Sequence, residues 1–199
     1  MFRLEQTLSF LIKPDLSLTH PMDIRAFFEK SCGKWFSQRT SQHLNYSQSE
    51  WGKSDVFIDL LEPTDATVQQ VCETHGVDSS QAVCGMQVKW EGFLGAEPSK
   101  QMGLTTLVAI ASGQPNQGTL LRYTIKPQPF SSTVHYVLDD QDILSLSSNH
   151  DGLETEERLW FVSDNLRLRT SIVKRPDSFD TSSFVSEIRI VSVPPKEEA

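Results

Sequence analysis

The chain has no excess of positive charge and no hydrophobic run long enough to cross a membrane. Its 199 residues carry a formal net charge of −8, which would repel a nucleic-acid backbone or an anionic membrane surface. The apolar run "LSFLI" near the N-terminus is far shorter than a membrane span, and Glu5 and Asp15 beside it do not suit a secretory signal. We therefore expect no nucleic-acid partner, no membrane span and a cytoplasmic location.

The sequence also lacks the spacings that mark metal centres and many enzymes. Its three cysteines, Cys32, Cys72 and Cys84, form no CxxC pair, and the five histidines show no metal-ligand spacing. There is no HExxH, no GxSxG and no glycine-rich loop that would hold a phosphate. We expect no metal and a reduced environment. Each cysteine is interpreted as a buried, inert thiol; the alternative is a nucleophile that carries a ligand transiently.

Short β-rich runs dominate what is present. Asp23 can cap a helix with apolar residues at Ile24, Phe27 and Phe28, and Gly33 can end it. Eleven strands are then predicted, separated by turn sequences such as "GQPNQG" and "NHDG": 34–46, 55–61, 66–74, 82–92, 104–111, 119–125, 131–138, 143–146, 155–163, 167–174 and 184–193. This pattern predicts an all-β fold, either a sandwich or an up-and-down barrel.

The polar faces of the predicted strands favour the barrel. A sandwich needs apolar inner faces, whereas a barrel of about ten strands leaves an interior that tolerates polar ligand contacts. We predict one antiparallel barrel domain over residues 22–193, closed at one end by the short N-terminal helix. Residues 1–21 are expected to be a poorly ordered extension, with Met22 as an alternative start, and residues 194–199 a solvated tail.

Three segments contain the candidate binding and catalytic residues. In "GKWFSQRTSQH", alternation places Trp35, Arg39 and His43 on one face of a strand; "VKWEG" adds Trp90. The third segment is "EERLWFVSDNLRLR", in which Glu156 and Trp160 share one face of a strand, and Arg167 and Arg169 share a face of the next strand. Arginines pair with carboxylates, and tryptophans stack on flat rings. Together these segments suit the binding of a planar dianion.

Simpler interpretations compete with that one. Trp35 follows the helix-ending glycine and fits a core plug at the closed end of a barrel. Arg167 and Arg169, with Glu157 and Glu187 nearby, could form a solvated, ion-paired strand face that contributes little to stability. His43 could be an ordinary hydrogen-bonded strand histidine.

The segments resemble the CpcS/CpeS family of phycobiliprotein lyases. The likeness rests on "MDIRAFFEKSCGKWFSQRTSQHL", "KSDVFIDLL", "VKWEG" and "ERLWFVSDNLRLRTSIV", and extends from Met22 to about Val191. It implies a fold similar to lipocalins and fatty-acid-binding proteins. It also implies binding of a linear tetrapyrrole, phycocyanobilin or phycoerythrobilin, and its attachment through a thioether to a cysteine of an apo-phycobiliprotein subunit, most often the conserved cysteine of the β subunit and its allophycocyanin counterparts.

The resemblance also implies roles for individual residues. The bilin-binding residues would be Arg39, Trp90, Trp160, Arg167 and Arg169. An acidic residue before "LWF" would hold the ring N–H groups, and Glu156 and Glu157 both qualify: alternation groups Glu156 with Trp160, the spacing to Arg167 suits Glu157, and a bulge in the strand could reconcile the two. His43 would be the catalytic histidine. Many members have Ser-His-His where this chain has Ser41-Gln42-His43. If the first histidine of that motif handles the proton, its loss at Gln42 impairs independent activity, and restoring histidine there should raise it.

The expected cofactor requirement is therefore none, with the bilin as substrate. Expected partners are the apo-phycobiliprotein subunits; a dimer with a copy of this chain or with a paralogue is left open. The alternative functions are a carrier that delivers a bilin without chemistry, one subunit of a heterodimeric lyase, and an assembly protein with an empty interior.

Overall fold

A computed structural model describes residues 22–43, 48–95, 99–114, 116–125, 128–175 and 178–191. The chain forms one closed barrel in which β1 pairs with both β2 and β10, and every neighbouring pair is antiparallel. The strands are β1 Gly33–His43, β2 Gln48–Leu61, β3 Ala82–Leu94, β4 Gln101–Ile110, β5 Gln117–Thr124, β6 Phe130–Leu138, β7 Leu144–His150, β8 Leu153–Ser163, β9 Leu166–Arg175 and β10 Ser178–Arg189.

The ten-stranded barrel confirms the predicted fold class. The expected extension 1–21 and tail 194–199 lie outside the described residues, so the domain boundaries stay a prediction. No helix within the described residues is long and apolar enough to cross a membrane.

The first helix, α1, covers Ile24–Ser31 and closes one end of the barrel. Asp23 caps it by accepting a hydrogen bond from the Ala26 amide at 2.8 Å. Its buried Ile24, Phe27 and Phe28 belong to the main hydrophobic core. Because these three residues face the interior, α1 forms the floor of the barrel.

Trp35 completes this floor, as its interpretation as a core plug predicted. It is fully buried, and its indole Nε1 donates to the Ser31 carbonyl of α1 at 2.8 Å. Phe161 of β8 packs against both Phe27 and Trp35, with ring centroids 5.3 and 6.2 Å away. The closed end is therefore filled by an aromatic cluster, and any ligand space must lie above it.

A second helix, α2, replaces a predicted strand. Residues Ala66–Thr74 are helical, so the strand prediction for 66–74 is wrong. Asp65 caps the helix at the Thr67 amide, and Val68, Val71 and Cys72 recur at helical spacing and are buried. These side chains pack on Val108 of β4 and Leu121 of β5, so α2 covers the outer surface of the barrel there.

Candidate functional site

Above the aromatic floor lies a cavity of about 330 Å³, within the size range of sites for small molecules. Its lower wall is apolar: Val56, Ile58, Met86, Val88, Leu107, Leu120, Leu144, Leu146 and Leu159. All these residues come from inward positions of six strands, β2, β3, β4, β5, β7 and β8. The barrel thus provides an apolar well large enough for a flat hydrophobic ligand.

The charged lining residues are four arginines and two glutamates, namely Arg39, Arg122, Arg167, Arg169, Glu157 and Glu187. Among the described lining residues, therefore, two positive charges have no compensating carboxylate. This local excess stands against a chain that carries −8 overall. The cavity is electrostatically suited to a ligand with two negative charges.

Arg167 and Glu187 form what we call the sealed pair. Arg167 of β9 and Glu187 of β10 are register partners, and Arg167 Nε donates to Glu187 Oε2 at 2.7 Å. Their side chains are only 5% and 3% exposed. The Arg167 guanidinium also lies over Trp35, 5.1 Å from the ring centroid. The sealed pair therefore rests directly on the aromatic floor.

Burial and pairing act in opposite directions on these two ionisable groups. Burial alone would raise the pKa of Glu187, but Arg167 and Arg169, together with hydrogen bonds from Arg167 and Ser37, lower it overall. Burial lowers the pKa of Arg167, and the attraction of Glu187 opposes that change. Because a guanidinium titrates far above neutrality, both groups are charged at neutral pH.

Arg39, Arg122, Glu157 and Arg169 form a second group, the open cluster. Glu157 Oε1 lies 3.4 Å from Arg122 Nη2, and its Oε2 lies 3.9 Å from Arg169 Nη1. The side chains of Arg122, Glu157 and Arg169 are 21%, 17% and 36% exposed. The open cluster is therefore accessible from solvent, unlike the sealed pair.

The strand register explains why these residues meet. Arg39 of β1 and Arg169 of β9 both pair with Val185 of β10, so the two arginines lie in one inward row. Glu157 is two residues from Leu159, the partner of Arg169 on β8, which makes Glu157 and Arg169 diagonal neighbours. Burial foremost, and then repulsion from Arg169, lower the pKa of Arg39. An anion bound between the two arginines would relieve that repulsion.

Trp90 adds an aromatic surface to the side wall of the cavity. It lies on β3 opposite Gly103 of β4, and a Cβ atom at Gly103 would come 2.1 Å from the indole Nε1. The ring therefore lies directly over the glycine, against the sheet. The absent side chain at Gly103 leaves the space in which the indole lies.

The structure separates the remaining predicted residues from the cavity. Glu156 is exposed and forms an ion pair with Lys174 at 2.9 Å, and neither Glu156 nor Trp160 lines the cavity. The irregularity in β8 falls between Phe161 and Ser163, too late to bring Trp160 inward. Trp160 thus lies outside the cavity lining, and of the two candidate glutamates only Glu157 lines it; a role of Trp160 in binding stays a prediction.

His43 also lies away from the cavity lining. It ends β1, four residues beyond Arg39, which is about 13 Å along a strand. Its Nδ1 is 3.3 Å from Thr181 Oγ1 and its Nε2 is 3.6 Å from Glu50 Oε2. Gln42 is exposed and alternates away from Arg39. The structure does not bring either side chain to the other candidate residues.

Two of the three cysteines are buried, as expected. Cys72 and Cys84 are buried, whereas Cys32 is half-buried and its Sγ lies 3.2 Å from the Phe28 carbonyl. Burial raises the pKa of all three thiols, that of Cys84 to about 12. Thiols that are hard to ionise are poor nucleophiles, which supports the interpretation of inert cysteines.

Comparison with known proteins now decides the family. The family model described as CpeS-like protein matches residues 23–190. The chain belongs to this family. It is 43% identical over 170 residues to the Chromophore lyase CpcS/CpeS of Thermosynechococcus vestitus, covering 85% of this chain and 93% of that protein. It is 34% identical over 175 residues to the Phycocyanobilin lyase subunit CpcS of a Picosynechococcus species, covering 86% and 88%.

A solved structure supports the same conclusion. The S-type phycobiliprotein lyase CPES from Guillardia theta matches with a TM-score of 0.75 and 28% identity, covering 86% of this chain and 95% of that one. These comparisons confirm the resemblance to CpcS/CpeS proteins and the expected enzyme class, a chromophore lyase of the CpeS-like family.

Proposed function

We propose that this CpeS-like protein binds a linear tetrapyrrole in the barrel cavity and attaches it through a thioether to a cysteine of an apo-phycobiliprotein subunit. The observation that carries the proposal is the excess of two positive charges in the lining of a cavity that also has an apolar wall and Trp90. A phycobilin is flat, conjugated and largely apolar, and it carries two propionates. Its two negative charges and its apolar surface therefore match the charge excess and the apolar wall of the cavity.

The arginines of the open cluster would hold the propionates. Guanidinium groups pair with carboxylates through charge-assisted hydrogen bonds, and Arg39 and Arg169 are available near the open part of the cavity. The resemblance also implies that Arg167 binds the bilin, but its Nε is already bonded to Glu187. In this proposal Arg167 stays paired with Glu187 beneath the ligand and does not contact a propionate.

Glu157 would interact with the pyrrolic N–H groups of the chromophore. A carboxylate there favours the protonated, cationic tetrapyrrole, which is more electrophilic at its exocyclic ethylidene carbon. The thiol of the acceptor cysteine adds across that double bond, with sulfur joining the ethylidene carbon and hydrogen joining the adjacent ring carbon. The addition needs no oxidant and releases no leaving group, and the nucleophile belongs to the acceptor.

The protein's main contribution would be positioning. Holding one conformer of a flexible chromophore with one face presented lowers the entropic cost of the addition and disfavours products of the wrong stereochemistry. The proposal includes the apo-phycobiliprotein subunit as partner and a reducing cytoplasm as location, because the acceptor cysteine must be a free thiol.

Co-expression tests this function. The protein is produced with bilin-synthesising enzymes and one candidate apo-subunit at a time, and the subunit is inspected on a denaturing gel by zinc-enhanced fluorescence. We expect a fluorescent β-type or allophycocyanin subunit that is absent without the protein. A chromophore retained by the protein with no covalent product would instead indicate a carrier or one subunit of a heterodimeric lyase, and addition of a paralogue distinguishes these two.

A further inference from the structure

Arg122 is a cavity residue that the sequence motifs did not reveal. It lies on β5, whereas its partner Glu157 lies on β8, and strands β6 and β7 separate the two around the barrel. The contact between Arg122 Nη2 and Glu157 Oε1 therefore crosses the interior instead of running along the wall. Both side chains line the cavity.

This contact occupies space that a ligand needs. It is a single contact of 3.4 Å, at the long end of the range for hydrogen bonds, and both side chains keep some exposure to solvent. The sealed pair, by contrast, has a contact of 2.7 Å and almost no exposure. The crossing contact is thus the weaker of the two and the easier one to exchange.

The charges of the open cluster indicate what would replace it. While Arg122 neutralises Glu157, neither group is available to a ligand. A ligand carboxylate can take the place of Glu157 at Arg122, which leaves the number of ion pairs unchanged. Glu157 then keeps its neighbour Arg169 at 3.9 Å and gains a free carboxylate oxygen in the cavity.

We propose that Arg122 is a ligand-binding residue: its guanidinium leaves Glu157, pairs with one carboxylate of the bound chromophore and so frees Glu157 for the pyrrolic N–H groups. The inference rests on the proposed function, since it takes the tetrapyrrole dicarboxylate as the ligand. It adds a third arginine on the wall opposite the row formed by Arg39 and Arg169, so that the cavity holds the chromophore from two sides.

The test compares a diacid with its ester in the full-length protein. Dissociation constants are measured for phycocyanobilin and for its dimethyl ester with the wild type, Arg122→Gln, Arg122→Lys and a control, Arg158→Gln. Arg158 lies on β8 but is exposed and outside the cavity lining. A charge-assisted hydrogen bond contributes about 1.5–3 kcal/mol, which corresponds to tenfold or more in affinity.

We expect Arg122→Gln to weaken binding of the diacid at least about tenfold while affinity for the ester changes less than about twofold. Arg122→Lys should recover part of the loss, and Arg158→Gln should bind like the wild type. Equal losses of affinity for the diacid and the ester would show that Arg122 only supports the structure, and would overturn the inference. Unchanged affinity for the diacid would overturn it as well. If the wild type binds no tetrapyrrole at all, the proposed function itself fails.

Discussion

The sealed pair and the open cluster lie inside the same barrel and use the same residue types, but they are built for different tasks. Arg167 and Glu187 are in contact at 2.7 Å and nearly inaccessible, supported by Trp35 below. Glu157 lies between two arginines at 3.4 and 3.9 Å, each of them partly exposed. The difference follows from burial. Buried charges that no ligand can reach must pair with each other, whereas charges near solvent can exchange their partner for a ligand.

The largest expected effect is on stability. Glu187→Gln should lower the free energy of unfolding by about 3–5 kcal/mol, because it leaves the buried Arg167 without its counter-charge. Glu157→Gln should cost about 1 kcal/mol or less, since Glu157 is accessible and its contacts are long. Chemical denaturation measures both.

Glu156→Gln, on the outer surface of the same strand, is the matched control and should change stability least. If Glu157→Gln proved as destabilising as Glu187→Gln, the distinction between a sealed and an open group would be lost.

The next effect concerns the wall of the open cavity. Gly103→Ala should push the Trp90 indole off β4 into the ligand space, because the new Cβ would overlap it. Overpacking of this kind costs about 1–3 kcal/mol, and bilin affinity should fall with it. In a Trp90→Leu background the same substitution should cost much less, which a double-mutant cycle measures; equal costs in both backgrounds would show that the contact does not position the ring.

A smaller effect separates the inner and outer tryptophans. Trp90→Leu should raise the dissociation constant of phycocyanobilin about tenfold through the lost aromatic contact. Trp160→Leu should change it less than about twofold, because Trp160 is not part of the cavity lining. Titration by visible absorbance gives both values. A strong loss in Trp160→Leu would return that residue to the role that the sequence resemblance assigns to it.

The smallest effect is a pH dependence specific to the sealed pair. The pKa of Glu187 is lowered in the folded protein, so this residue stabilises the fold above the unfolded pKa of about 4.3. That stabilisation is lost as the pH falls through the lower, folded-state pKa. The difference in unfolding free energy between wild type and Glu187→Gln should therefore be constant near neutral pH and shrink only below about pH 4.3. A difference that already shrank between pH 7 and 5 would contradict the assigned cause.

The sequence allowed the barrel and part of the cavity to be predicted, because strand alternation fixes which side chains share a face. Arg39, Arg167 and Arg169 were placed on the right faces in this way. Alternation alone could not say which face of β8 points inward, and so Glu156 and Glu157 remained equivalent. Which face of β8 points inward follows from Phe161, whose ring packs on Phe27 in the floor. This contact joins distant parts of the chain, so the local sequence does not reveal it.

Arg122 and α2 were missed for a common reason. In "TLLRYT" both faces of β5 look apolar, since Leu120 faces the cavity while Leu121 is covered from outside by α2. If α2 is not recognised, Leu121 is taken as the core-facing residue, and Arg122 on the opposite face is then assigned to solvent. The sequence signal for α2 was present, with Asp65 as a cap and Val68, Val71 and Cys72 at helical spacing. Recognising the helix would have led to the prediction that Arg122 faces the barrel interior.

A crystal structure of the protein with phycocyanobilin bound tests the central claim most directly. The account predicts that the chromophore carboxylates contact Arg39, Arg169 and Arg122, that Glu157 faces the pyrrolic N–H groups, and that the contact between Arg167 Nε and Glu187 Oε2 stays near 2.7 Å. A complex in which Arg167 has left Glu187 to bind a propionate, while Arg122 still contacts Glu157, would contradict it.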